Sequence, residues 1–268
     1  MITQIAKTMT LLVKTKPLVL NLTNYVTMDF MANSLLAIGA APIMSRNEDE
    51  LEELIKISSS ININIGTLSS SSIKRCFKAV TLAKKYKKAI VLDPVGSGAS
   101  FIRTKTAQSL MKHADIVRGN ASEIISLQEH TGKTLGVEST HTTKEAIATA
   151  RELSRKHGFV AVVSGPVDFI TDGKREAELP FGSSLMPAVT GMGCALTAVI
   201  AAFRGVEADS FESAKLATAY FGLCGQLADK KLVGPGTFRT NFIDTLYAAD
   251  FEKMRKIYVK SDLGKMHK

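Results

Sequence analysis

Along almost the whole chain, helical and extended patterning alternate, and that alternation limits the fold more than any other feature. Met28, Met31, Leu35 and Ile38 repeat at helical spacing and run into a short apolar stretch, Ala40 to Met44. Ser45 followed by Glu48 has capping-box spacing and predicts a helix start there. Ile61, Ile63 and Ile65 alternate with Asn62 and Asn64, the two-residue period of a strand. Ala89 to Leu92, ending in Asp93-Pro94, and Asp115 to Val117 are buried-strand candidates. Ala146, Ala150, Leu153 and His157 share a helix face, and Phe159 to Val163 supplies the next strand. Strands separated by helices of this length require crossover connections, hence a mostly parallel sheet covered on both faces. The pattern changes after Ser164. Val167 to Thr171 and Arg175 to Leu179 flank Asp172-Gly173, which predicts a hairpin, and from Val189 the chain is mainly helical. No linker, low-complexity stretch or internal repeat interrupts the 268 residues, so one domain spanning 1–268 is expected.

The three cysteines, Cys76, Cys194 and Cys224, are far apart and form no C-x-x-C pair. That excludes a disulfide framework and a structural zinc site, and it suits a reducing, cytoplasmic compartment. Met1 to Pro17 lacks the apolar core of an export signal. The longest apolar run, Ala195 to Phe203, is far below the roughly 18 residues needed to span a bilayer, so no membrane partner is expected. The formal charge is +9, but the lysines are scattered apart from Lys84 to Lys88 and the tail Lys253 to Lys268, which read as solvated helix face or frayed terminus. No nucleic-acid motif accompanies them, so no nucleic-acid partner is expected either.

Four segments carry candidate chemistry. Val189-Thr190-Gly191-Met192-Gly193-Cys194 runs straight into an apolar helix pattern. Two glycines at a helix entry leave backbone N–H groups uncovered, and with the helix dipole these make an anion site; the same pattern is also a plain glycine turn before a core helix. Arg118-Gly119-Asn120-Ala121-Ser122-Glu123 lies just past a strand end, where open α/β sheets place ligands. There Arg118 can meet a phosphate and Glu123 a hydrated Mg²⁺, although Asn-x-x-Glu is equally a capping box, a pattern repeated at Thr142/Glu145 and Asp209/Glu212. Asp93-Pro94-Val95-Gly96-Ser97-Gly98-Ala99 suits a metal- or phosphate-handling loop, or a simple strand-to-helix turn. Asn21-Leu22-Thr23-Asn24-Tyr25-Val26 follows the first strand and reads as a helix cap. Gly132-Lys133-Thr134 is no P-loop, because Leu127 stands where its first glycine belongs, and neither Gly-x-Gly pair has the third glycine of a dinucleotide fingerprint.

Taken in order, these pieces resemble the hydroxyethylthiazole kinase family of the ribokinase-like superfamily. The matching segments are Thr23-Asn24-Tyr25-Val26 with Ala32-Asn33, Leu35 to Met44, Ile63 to Leu68, Asp93 to Ser100, Gly119 to Ile124, and Val189 to Cys194. The resemblance implies a three-layer ribokinase-like α/β fold and a single kinase domain. It implies transfer of the ATP γ-phosphate to the hydroxyethyl oxygen of 4-methyl-5-(2-hydroxyethyl)thiazole with Mg²⁺, a salvage step in thiamine biosynthesis. By matching position, Arg118 and Ser164, with Asn120, contact ATP. Asp93 and Glu123 support Mg²⁺ through water. Met44 and Gly191, with Asn24 and Val26, border the thiazole, and Gly191, Gly193 and Cys194 form the catalytic turn. The family also implies a homotrimer with sites between subunits. Met192 stands where a small residue is usual, which narrows the anion site, and Ser164 keeps the hydroxyl of the more common threonine.

In sugar kinases of the wider superfamily this turn ends in aspartate. A free thiol titrates near roughly 8.5, and a helix N-terminus lowers that by less than about one pKa unit. Cys194 is therefore expected to stay protonated at neutral pH and to be a poor base. Competing readings are a hydroxymethylpyrimidine or pyridoxal kinase on the same scaffold, an ATP- or ADP-dependent NAD(P)H-hydrate dehydratase, and a non-catalytic nucleotide-binding regulator.

Overall fold

A computed structural model describes residues 1–128, 143–229 and 234–261. One eight-stranded sheet runs in the order β2-β1-β3-β4-β5-β6-β7-β8. Its strands are β1 Leu18–Leu22, β2 Ala41–Met44, β3 Ser60–Asn64, β4 Ala89–Asp93, β5 Ile116–Asn120, β6 Val160–Ser164, β7 Asp168–Thr171 and β8 Glu176–Leu179. β1 to β6 are mutually parallel, and β7 and β8 are antiparallel additions closing with the expected turn at Asp172-Gly173.

The helices among the described residues are α1 Ile2–Thr15, α2 Met28–Ala37, α3 Leu51–Ile57, α4 Ser70–Lys85, α5 Phe101–Met111, α6 Ala121–Ser126, α7 Thr143–His157, α8 Met192–Arg204, α9 Ser210–Ala228, α10 Pro235–Tyr247 and α11 Phe251–Lys260. They form two layers. Ile61, Ile63, Ile90, Leu92 and Val117 pack with α3 to α7, and Val19, Val91, Ile116 and Val160 pack with α1, α2 and α8 to α11. Because side chains alternate across a strand, the polar residues Ser60, Asn62, Asn64 and Asp93 fall on the same face as Val91, beneath α8. α8 is buried from Ala195 through Phe203, as an all-round apolar helix must be. Each large side chain it removes from water contributes about 1.5–3 kcal/mol.

One sequence expectation fails here. The Ser45/Glu48 box does not start a helix. α3 begins at Leu51, and the buried Ser45 hydroxyl instead donates to the Glu50 carboxylate at 2.7 Å. The N-terminal segment, read only as lacking a signal core, forms α1. Its stripe of Ile2, Ile5, Met9 and Leu12 has helical spacing, with threonine and lysine on the other face, and is buried against α9 and α11. The Asp209 carboxylate caps α9 as expected, accepting from Phe211 and Glu212 N–H. Thr142 and Gly132-Lys133-Thr134 lie outside the described residues, as does the tail from 262.

Candidate active site

The parallel strands bring the candidate residues to one edge of the sheet, each at or just past a strand's C-terminal end: Asn24 after β1, Met44 on β2, Asp93 on β4, Arg118 and Asn120 on β5, and Ser164 on β6. α8 starts beside that edge. Its cap, Gly191, has φ 91°, and no side chain caps the first turn. The first amides of α8 therefore present the positive end of the helix dipole without a covering group.

Arg118 reaches over this opening. A methyl group built on Gly193 would sit 2.9 Å from Nη2 and 3.0 Å from Cζ of the guanidinium. The guanidinium is held from behind, because Nε donates to Ser164 Oγ at 2.9 Å and Nη1 lies 4.0 Å from Asp93 Oδ2. A helix N-terminus and a guanidinium thus converge on one spot, an arrangement suited to an anion. Met192, expected to narrow this opening, is buried in the apolar layer instead.

Asp93 is fully buried. Its Oδ2 accepts from Asn64 Nδ2 and from Thr197 Oγ1, each at 2.9 Å, while Oδ1 has no partner among the described residues. Burial, and then the neighbouring Glu123, push its carboxyl up to about 6 against the pull of Arg118. Glu123 and Asn120 form a true capping box on α6. The Glu123 carboxylate also spans two loops, accepting from Gly96 N–H and Asn120 N–H at 2.9 Å each.

The residues fit the Mg²⁺ implied by the resemblance only as a hydrated ion. The buried Asp93 Oδ1 lacks a partner that a hydrated ion could supply, but no group of three or more His, Cys, Asp or Glu able to hold a metal exists among the described residues.

Cys194 is the half-buried cysteine of the three, Cys76 and Cys224 being buried. Asn24 Nδ2 donates toward its sulfur at 3.5 Å. Burial, and then the nearby Asp93, push the thiol up to about 11, so it is protonated at neutral pH, as expected from its position. Asn24 does not cap α2, whose cap is Thr27. Its Oδ1 instead takes the Thr27 N–H at 3.1 Å. Val26 is 68% exposed, and Met44 is half-buried on the edge strand β2, packed against the apolar core.

Comparison with known proteins supplies the deciding observation. A family model described as the hydroxyethylthiazole kinase family matches residues 9–252. A hydroxyethylthiazole kinase of Chlamydia caviae is 52% identical over 260 residues, covering 96% of this chain and 99% of the relative. The chain belongs to the hydroxyethylthiazole kinase family. The solved structure of a hydroxyethylthiazole kinase protein from Pyrococcus horikoshii superposes with a TM-score of 0.86 at 34% identity, covering 96% of this chain and 97% of that one. A ribokinase-like superfamily protein from Enterococcus faecalis shares the fold, with a TM-score of 0.64 at 15% identity and coverage of 88% and 87%.

For this member of the hydroxyethylthiazole kinase family, sequence reasoning overlooked Asn64, Thr197 and Asp168 as site neighbours. Thr197 and Asn64 fix Asp93. Asp168 accepts from Gly165 N–H at 3.0 Å, and burial pushes its carboxyl up to about 6 in the field of Arg118. Asn64 carried a readable signal, because a polar side chain in a strand covered on both faces must find a partner.

Asp93 makes a prediction about pH. Between its unfolded value near 4 and its folded value near 6, the native state binds more protons at Asp93 than the unfolded chain does. Its contribution to stability therefore falls as pH rises through that window, by on the order of 3 kcal/mol at most. Asp93→Asn removes the dependence while keeping acceptors for Asn64 and Thr197. Its Tm, measured by scanning calorimetry, should gain on the unaltered protein by roughly 5 °C between pH 4 and pH 7, while activity falls at least a hundredfold. A Tm difference flat in pH would remove Asp93 as the titrating group.

Proposed function

We propose that this protein transfers the γ-phosphate of ATP to the hydroxyethyl oxygen of 4-methyl-5-(2-hydroxyethyl)thiazole, as the thiamine salvage kinase of its cell. The observation that carries this reading is the convergence of the Arg118 guanidinium and the uncapped start of α8 beside Cys194 and Asp93. Phosphoryl transfer spreads negative charge over the oxygens of the moving group, and amides and a guanidinium already in place stabilise it without reorganising.

Arg118, braced by Ser164, and Asn120 meet the nucleotide. Gly191 and Gly193 keep the amides of α8 open to the moving phosphoryl group. Met44, Asn24 and Val26 border the thiazole. The protonated Cys194 thiol touches the acceptor alcohol and orients it, rather than removing its proton. Asp93, with Glu123 through water, would hold Mg²⁺, which supplies charge neutralisation on the nucleotide. The exposure of Val26 supports a homotrimer whose neighbour completes the acceptor pocket, and the free cysteines support a cytoplasmic location. No helix among the described residues is long and apolar enough to cross a membrane.

ADP release measured with hydroxyethylthiazole, hydroxymethylpyrimidine and pyridoxal side by side, with and without Mg²⁺, tests the reading. Turnover confined to the thiazole alcohol and dependent on Mg²⁺ is expected, and light scattering should give the mass of three 28.9 kDa chains. Preference for either other alcohol would overturn the substrate. In the same assay Cys194→Ala should lower turnover by no more than about a thousandfold, and Cys194→Asp should stay active. A folded Cys194→Asp protein that binds both substrates yet is inert would end the orienting role of the thiol.

A further inference from the structure

Asn64 ends β3 and pairs in register with Asp93 at the end of β4. It is 4% exposed, and its amide is bonded at both ends. Gly66 N–H donates to Oδ1 at 3.0 Å, and Asn24 Nδ2 donates to the same oxygen at 2.9 Å. Nδ2 donates to Asp93 Oδ2 at 2.9 Å. A backbone N–H can only donate, so Gly66 fixes which end of the Asn64 amide is oxygen. Thr27 N–H fixes Asn24 in the same way through its Oδ1. Turning either amide over would set one donor against another in a buried site, at a cost of about 1–3 kcal/mol.

The polarity of the chain is therefore set by two backbone groups. Cys194 Sγ receives from Asn24, Asn24 is held by Asn64, and Asn64 holds Asp93 Oδ2, which Thr197 Oγ1 holds from the other side. Thr197 lies on α8, and its single hydroxyl proton lies between Asp93 Oδ2 at 2.9 Å and Gly193 O at 3.2 Å, so the network returns to the turn that carries Cys194. With Oδ2 engaged by both Asn64 and Thr197, Oδ1 is the oxygen of Asp93 left buried without a hydrogen-bond partner among the described residues.

We propose that Asn64 is a positioning residue for phosphoryl transfer. Its amide locks the acceptor end of the site, Asn24 and Cys194, to the carboxylate end, Asp93, and determines which Asp93 oxygen stays free. This rests on the kinase reading above. Displacement of reacting groups by about 1 Å costs on the order of a hundredfold in rate, so the lock acts on turnover more than on ground-state affinity.

Asn64→Ala removes the donor to Asp93 without placing a second carboxyl beside it. Asn64→Ser removes the lock without adding charge and serves if the first variant does not fold. Folded sites are counted from the stoichiometry of ADP binding by calorimetry, and kcat is expressed per site. We expect kcat per site to fall about a hundredfold, with KM for both substrates within about threefold. The strengthening of ADP binding by Mg²⁺ should shrink at least fivefold, while ADP affinity without the metal is unchanged.

Loss of Tm and of site number with kcat per site and the Mg²⁺ effect both preserved would assign Asn64 a structural role alone and overturn the proposal. The unaltered protein in the same assay separates the two readings. If it fails to phosphorylate the thiazole alcohol, the kinase assignment falls. If it succeeds and the variants match it, only the role of Asn64 falls.

Discussion

Arg118→Ala should lower kcat/KM for ATP by about a thousandfold, measured as ADP release at saturating acceptor. The guanidinium does two things that alanine cannot. It adds a full positive charge to the amino end of α8, over Gly193, on the path proposed for the phosphoryl group. It also offsets the buried Asp93 carboxylate, 4.0 Å from Nη1. Without it, Asp93 is left with Asn64 and Thr197 as neutral partners, and its carboxyl moves further up. Arg118→Lys keeps the charge but loses the planar fork that holds Ser164 Oγ while facing α8, so it should recover only part of the loss. An Arg118→Ala protein within tenfold of the unaltered kcat/KM would remove the converging-charge account of the site.

Two glycines two residues apart should respond in opposite ways, and the contrast is the second large effect. Gly191 has φ 91°, a conformation that costs an L-residue roughly 1–2 kcal/mol. An added methyl group there also lies 2.9 Å from Thr27 Cγ2. Gly191→Ala should therefore lower Tm by about 5 °C or more in a thermal melt, with activity falling as the turn distorts. Gly193 sits inside the first turn of α8, where alanine is the better helix former by about 1 kcal/mol. Its methyl group would collide with Arg118 instead of with backbone, and the guanidinium would swing aside. Gly193→Ala should keep or slightly raise Tm while activity drops by roughly 10- to 100-fold. Equal losses of stability in the two variants would show that neither glycine is tied to its stated partner.

Much of this site could be read from residue order. Asp93, Arg118, Asn120, Glu123 and Gly191 to Cys194 stand at strand ends and helix starts, and such positions are local patterns. The structure added relationships among them. Ser164 is the acceptor that braces Arg118, Glu123 ties the Gly96 loop to β5, and Met192 turns away from the opening it was expected to narrow. The Ser45/Glu48 pattern shows why local reading also misleads. The spacing is right for a capping box, but the chain turns back only after Glu50, whose carboxylate takes the Ser45 hydroxyl.

By itself, the sequence determined the alternating architecture, the family to which the chain belongs and the segments that meet at the sheet edge, because periodicity and short motifs depend on neighbours a few residues apart. Tertiary structure alone decided the partners of Asn64 and which oxygen of Asp93 is left without one. Those depend on contacts across 40 residues from Asn24 to Asn64, 29 from Asn64 to Asp93 and 104 from Asp93 to Thr197, and a hydrogen bond's direction exists only once both ends are in place.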